Sequence, residues 1–234
     1  KLQYIRNDAA KTIVPDITTA ELGLTLRYAP GETFVNTKQR RRPVSLDAPI
    51  FTLSHTTGFK GVLGGEYNFN LTEASIWKRF WLPASWGKID CSVKAGAEWN
   101  TVPFPLLILP EANLSYITQR ETFCLINNME FLNDRFASMS ISYDMNGKLF
   151  NRIPLLKNLK WREMFRVRAL WGTLTDKNNP FKSSNPDLFR FPTRDGKFTS
   201  FVMDPKVPYV EASVGIYNIF KLLHVEYVHR FTYR

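Results

Sequence analysis

The sequence predicts an all-β protein, an antiparallel transmembrane β-barrel represented here by about nine or ten strands. Three observations predict it. Six segments alternate apolar and polar residues over about nine to twelve positions, the period of a strand with two unlike faces. Strands of about 9–11 residues can cross a bilayer when tilted, whereas strands of water-soluble domains usually run about 5–6. Aromatic side chains (Tyr28, Trp99, Tyr143, Trp171 and Tyr233) fall at or near strand ends on the apolar face. Trp and Tyr favour that position at a membrane–water boundary.

The elements follow in order. Residues 1–17 are polar and irregular. Thr19 to Tyr28 is a strand, with Ala20, Leu22, Leu24, Leu26 and Tyr28 on one face and Glu21, Gly23, Thr25 and Arg27 on the other. Residues 29–48 form a loop with Pro30-Gly31 and the basic run from Lys38 to Arg42. Ile50 to Thr56 is a shorter strand, and Gly58 to Gly65 is a glycine-rich turn. Tyr67 to Trp81 is a long strand whose phase slips near Leu71–Ala74, as at a bulge. Trp86 to Trp99 follows the turn at Pro83-Ala84-Ser85. Its apolar positions are Ile89, Cys91, Val93, Ala95, Ala97 and Trp99, with Asp90, Lys94 and Glu98 between them.

Residues 100–120 are a loop with three prolines. Glu121 to Phe131 and Phe136 to Met145 are the next strands, and Asn146 to Lys160 links onward through a short helical turn. Met164 to Thr173 directs Phe165, Val167, Ala169 and Trp171 one way and Arg166 and Arg168 the other. Residues 174–208 are irregular. Such a long loop is unusual in a compact water-soluble domain and ordinary on the outside of a barrel. Tyr209 to Tyr217 and Leu223 to Arg234 are the last strands, so the whole of 1–234 is one barrel domain.

Charge is sorted between the faces. Across the six clearest strands the apolar face carries no Asp, Glu, Lys or Arg, and His229 is its one polar side chain beyond the tyrosines. The other face holds Glu21, Arg27, Asp90, Lys94, Glu98, Asp144, Arg166, Arg168, Glu211, Glu226 and Arg230. A Lys or Arg facing lipid at mid-bilayer costs roughly 2–4 kcal/mol, which explains its exclusion. A β-sandwich would also alternate. Strand length, aromatic ends and mixed charges, which pair across a wet lumen, favour the barrel.

Composition narrows the function classes. No apolar run reaches the roughly 18 residues of a transmembrane helix. The net charge of +10 fits contact with lipid phosphates as well as with nucleic acid. No recognition module accompanies the charge, so nucleic acid is not an expected partner. Cys91 and Cys124 form no CxxC motif, and neither a metal nor another cofactor is expected. The chain begins at Lys1 with no visible leader and reads as a mature fragment.

Several stretches carry a family resemblance: Leu26-Arg27-Tyr28-Ala29-Pro30-Gly31-Glu32, Asn151-Arg152-Ile153-Pro154-Leu155-Leu156-Lys157, Leu159-Lys160-Trp161-Arg162-Glu163, Asp176-Lys177-Asn178-Asn179-Pro180, and Val210 to Lys221. Together they resemble the barrel part of an uncharacterised family of Bacteroidota outer-membrane proteins, in which a carboxypeptidase-regulatory-like domain precedes the barrel. The resemblance implies an outer-membrane location and no known activity. The final hairpin, with Val225-Glu226-Tyr227, is more distantly similar to the closing strands of the surface-antigen superfamily, whose barrels insert or translocate proteins. That superfamily's Arg-Gly-Phe/Tyr loop signature is missing, so its mechanism does not carry over. By this analogy the chain lacks earlier strands and the last strand.

The expected function is therefore that of an integral outer-membrane β-barrel, in scaffolding, transport or envelope biogenesis, without catalysis. Its partners would be outer-membrane lipid, lipopolysaccharide and other envelope proteins. Lys38, Arg40, Arg41 and Arg42 are the candidates for lipid phosphate, because guanidinium forks suit phosphate oxygens. Asp90, Lys94, Glu98, Arg166, Arg168, Glu211, His224, Glu226 and Arg230 form a candidate lumenal charge network. Two alternatives stand beside this. One is a water-soluble all-β protein whose basic loop binds a polyanion. The other is a barrel hydrolase using His224 and Glu226, although no GxSxG is present.

Overall fold

A computed structural model describes residues 4–234 except 116, 118, 120 and 195. Two short hairpin strands come first, β1 (Tyr4–Ile5) and β2 (Ile13–Val14), paired with each other. β3 (Glu21–Tyr28) precedes a second small hairpin, β4 (Phe34–Asn36) with β5 (Arg41–Pro43). Then come β6 (Ile50–Gly58), β7 (Phe69–Trp81), β8 (Lys88–Glu98), β9 (Arg135–Asp144) and β10 (Arg162–Thr173). A third small hairpin pairs β11 (Thr193–Arg194) with β12 (Lys197–Phe198). β13 (Tyr209–Ile219) and β14 (Leu223–Arg230) close the order.

Eight of these strands form one antiparallel sheet in the order β14-β13-β10-β9-β8-β7-β6-β3. The sheet is an up-and-down meander interrupted only by the small hairpins. It is open: among the described residues, neither β3 nor β14 pairs along its outer edge. Sequence reasoning expected about nine or ten strands, and the sheet has eight. The difference is the stretch Glu121 to Phe131, which is irregular and whose only β-type pairings among the described residues are isolated bridges at Phe123 and Phe131. Its backbone amides turn to a carboxylate instead of a neighbouring strand, as described below.

The expected phase slip in β7 is also absent. The strand pairs continuously with β6 and β8, and the one register shift is at Ile216/Ile219, between β13 and β14. Leu71 and Trp77 simply lie on the same face as Glu73 and Arg79. The helical turn is present as α1 (Pro154–Leu159), opened by Pro154 and ended by Lys160 in the left-handed conformation.

The connections divide unequally between the two ends of the sheet. One end, the turn end, holds residues 29–49 with β4 and β5, the tight turns 82–87 and 220–222, and 145–161 with α1. The other, the loop end, gathers 4–20, 59–68, 99–134, 174–208 and 231–234. The buried apolar side chains cluster there. Phe69, Val102, Phe104, Leu132, Leu174, Phe189 and Phe191 form one core, with Tyr4 stacked on Phe189 at 5.4 Å between ring centroids. Phe123, Ile126, Phe131, Leu170, Met203 and Tyr209 form a second.

Asp134 ties the two long loops together. It is fully buried and accepts from the Thr175 amide at 3.0 Å, the Asn178 side chain at 3.0 Å and the Thr175 hydroxyl. Asn178 in turn accepts from the Val102 amide at 2.9 Å. Gly172 passes beneath Asn133, where any Cβ would lie 2.3 Å from the Asn133 Oδ1.

Candidate functional site

The two faces of the sheet differ in kind. On one, cross-strand rows are apolar across six or seven strands. Tyr28, Phe51, Ile76, Val93, Met139, Ala169 and Val210 make one such row, and Leu26, Leu53, Ala74, Ala95, Ala137 and Trp171 the next. Much of this face is uncovered: Leu24 is 63% exposed, Val214 51% and Tyr227 70%, although Ala169 at its centre is buried. Charges share this face only near strand ends, at Lys78, Arg135 and Glu163. The Lys78 Nζ turns to the Asp47 carbonyl at 2.6 Å. Inside the face, the Thr72 hydroxyl meets His55 Nδ1 and the Trp99 indole N–H, each at 2.9 Å. An exposed apolar surface of this extent marks an interaction site.

The opposite face carries the charges, and the described residues between 111 and 130 of the long loop fold against it. The Arg168 guanidinium donates to Glu211 at 2.7 Å, with both side chains at most 2% exposed. Glu211 also accepts from the Cys124 amide at 2.9 Å, the Leu125 amide at 3.2 Å and the Tyr209 hydroxyl at 2.9 Å. One carboxylate thus serves both the wall and the loop, which is why 121–131 has no need of a strand partner. Lys94 reaches Glu111 at 2.8 Å and Glu121 at 3.0 Å. Arg230 reaches Glu130 at 2.6 Å and the Leu125 carbonyl at 3.1 Å, with its guanidinium over the Tyr209 ring. The loop thus forms a plug against the charged face, held there by Lys94, the Arg168–Glu211 pair and Arg230.

The residues expected to form one lumenal network therefore fall into separate groups. Lys94, Arg168, Glu211 and Arg230 hold the plug. Asp90 makes a two-pronged pair with Arg79, at 2.6 and 2.9 Å. Arg166 pairs with Glu226 at 3.1 Å, and Glu226 also accepts from the Ser213 hydroxyl. His224 Nε2 lies 3.6 Å from Glu226, beyond hydrogen-bond length, and the hydroxyl beside that carboxylate belongs to Ser213. Arg230 does not join His224 and Glu226; it sits at the far end of β14. Glu98 stands apart at the loop end, buried, accepting from the Asn70 amide at 3.1 Å and the Asn100 amide at 2.9 Å.

Lys38, Arg40, Arg41 and Arg42 are exposed on the β4–β5 hairpin at the turn end, with Arg41 over the Phe34 ring at 3.8 Å. The Arg27–Glu32 pair, with two hydrogen bonds of 2.7 and 2.8 Å, closes the base of that excursion. Arg27 holds the Glu32 carboxyl below its usual range. In the plug, burial pushes the Cys124 thiol up. Both cysteines are free thiols. Among the described residues, no group of three His, Cys, Asp or Glu is placed to hold a metal ion.

Sequence reasoning missed Arg79, Glu111, Glu121, Glu130, Asp134 and Asn178. Arg79 shares the parity of Glu73, so a continuous β7 would have placed it on the charged face. The loop acids carry no periodic signal, because their partners are set by tertiary folding.

Comparison with known proteins adds a family and no activity. Residues 4–181 match the C-terminal domain of a family of unknown function, DUF5686, and the chain belongs to that family. No curated protein and no solved structure matches it.

Proposed function

With a chain of that family as the starting point, we propose that this sheet is the wall segment of an integral outer-membrane β-barrel, serving scaffolding, transport or envelope biogenesis without catalysis. The observation that carries this is the exposed apolar face, with rows running across six or seven strands, opposite a charged and plugged face. Among the described residues, no helix is long and apolar enough to cross a membrane. Strands cross by a different pattern, with lipid and lumen on alternate residues.

The open edges support a larger closed wall. In lipid, every backbone N–H and C=O needs a partner, so a free sheet edge is not tolerated there. β3 and β14 run antiparallel to each other, so closure takes an even total of strands. A ring of eight has an interior just wide enough for side chains, and this interior already holds a folded loop. The wall is then completed by further strands, an even number of them, lying between β14 and β3.

Loop length gives the orientation. Barrels of this type have short periplasmic turns and longer extracellular loops. The loop end then faces outward and the turn end faces the periplasm. That puts Lys38, Arg40, Arg41 and Arg42 beside the inner-leaflet phosphates, away from lipopolysaccharide.

The test is gel mobility with and without boiling, together with circular dichroism, on the full-length parent protein extracted from outer membranes. A β-rich species that shifts on boiling and needs detergent to remain dissolved is the expected result. A protein that stays β-rich and monomeric in plain buffer would overturn the proposal and make the basic hairpin a polyanion site.

A further inference from the structure

The plug does not fill the charged face. Between it and the turn end lies a cavity of about 990 Å³, at the upper edge of the roughly 300–1,000 Å³ usual for small-molecule sites. Its walls come from the turn-end halves of five strands, β6 to β10, with β13 and β14 contributing residues at and beside their turn. Its floor is Lys94 with Glu121 of the plug. It reaches from Lys94 to the β13–β14 turn.

Six of its lining side chains are Lys or Arg and three are Asp or Glu. The deeper cations are already committed. Arg79 is locked to Asp90 and held between the Trp77 and Trp81 rings, at 5.4 and 5.6 Å. Arg166 is paired with Glu226, and Lys94 with Glu111 and Glu121. The mouth differs. None of the ion pairs among the described residues includes Arg162 or Lys221, which both line the cavity and are exposed. Asp144, the acid nearest that rim, is spent on the Tyr217 hydroxyl at 2.6 Å and the Asn146 amide at 2.9 Å. Lys88 stands 3.7 Å from it, outside hydrogen-bond range. His224 and the hydroxyls of Ser140 and Ser142 complete the upper wall.

We infer that this cavity is a binding site for a solute bearing at least two negative charges on phosphate or carboxylate groups. One charge would meet Arg162 and Lys221 on the β10 and β13–β14 side of the mouth, and the second Lys88 on its β8 side, with the serine hydroxyls beneath. Phosphate and carboxylate oxygens accept charge-assisted bonds from this donor set, and the walls lower the local dielectric enough to favour them. The left-handed backbone of Asn218, Phe220 and Lys221 makes the β13–β14 turn sharp enough to return Lys221 over the opening. The direction of entry rests on the barrel orientation above; the binding chemistry does not.

The test is calorimetric titration of the full-length, delipidated parent protein in neutral detergent. The probes are inorganic pyrophosphate and, separately, dihexanoyl phosphatidylglycerol. Saturable pyrophosphate binding that weakens with salt is expected, with Arg162→Gln/Lys221→Gln reducing affinity by about tenfold or more. Lys38→Gln/Arg40→Gln in the hairpin should leave it unchanged. Competition by the short-chain lipid would assign the site to a headgroup; its absence would assign it to a dissolved anion. No saturable binding, or equal binding by the mouth variant, overturns the inference. Binding retained by a protein that fails the boiling test would refute the membrane orientation alone.

Discussion

The Glu211 carboxylate is the point at which plug and wall are most tightly joined, and its removal is the sharpest test of the plug. In Glu211→Ala, Arg168 loses its carboxylate partner while remaining buried, and the amides of Cys124 and Leu125 lose their acceptor. Removing one partner of a buried ion pair costs about 3–5 kcal/mol, because the other charge stays out of water. Each 1.36 kcal/mol is about tenfold in an equilibrium, so local opening of the plug should rise by about two to three and a half decades. Amide hydrogen exchange with mass spectrometry on a peptide spanning 121–131 reads this directly. The exchange of Cys124 and Leu125 should accelerate by about a hundredfold or more, while amides of β8 hold their rates. Arg168→Met/Glu211→Leu removes both charges together and should restore much of the folding stability. Native-like exchange at Cys124 and Leu125 in a folded Glu211→Ala protein would refute the idea that this carboxylate holds the loop inside.

Three further outcomes are expected. Val93→Arg places a charge in the middle of an apolar row and should destabilise the bilayer-embedded protein by about 2–4 kcal/mol in urea titration, with Val93→Leu near zero; equal costs for both would remove the lipid-facing assignment. Cys91 shares that face, so in intact membranes a lipid-soluble maleimide should label it while a membrane-impermeant one does not; labelling by the impermeant reagent would count against the orientation of β8. Glu32 has its carboxyl lowered in the folded state by Arg27, so the tie it makes is fully present above the ordinary value of 4.5 and is lost as pH falls through the lowered one. Nuclear magnetic resonance of the Glu32 side chain should show a midpoint below 4.5, and a midpoint above it would mean that Arg27 and Glu32 are apart in solution.

Most of the wall was legible in the sequence, since a two-residue period both identifies a strand and sorts its faces. The faces of β3, β8, β9, β10, β13 and β14 were read correctly from this alone. β7 was misread because Leu71 and Trp77 are apolar residues on the charged face, and an apolar residue there mimics a slip. Glu121 to Phe131 was misread for the converse reason: its alternation was strand-like, but its amides found the Glu211 carboxylate, a partner more than eighty residues away in sequence. Parity placed Arg168 and Glu211 on one face; only register makes them neighbours, and register is a property of pairing between strands. Arg230 was grouped with His224 on parity, yet six residues along a strand separate them by about 20 Å.

The edges of β3 and β14, unpaired among the described residues, have a consequence in water. Each presents a row of open hydrogen-bonding groups beside an apolar face, the combination that recruits other chains edge to edge. A freshly made copy adrift in water is therefore an aggregation seed until its edges are occupied. On the membrane reading proposed above, passage through water would call for both edges to be masked, and yield in the laboratory would be served by moving from denaturant straight into detergent.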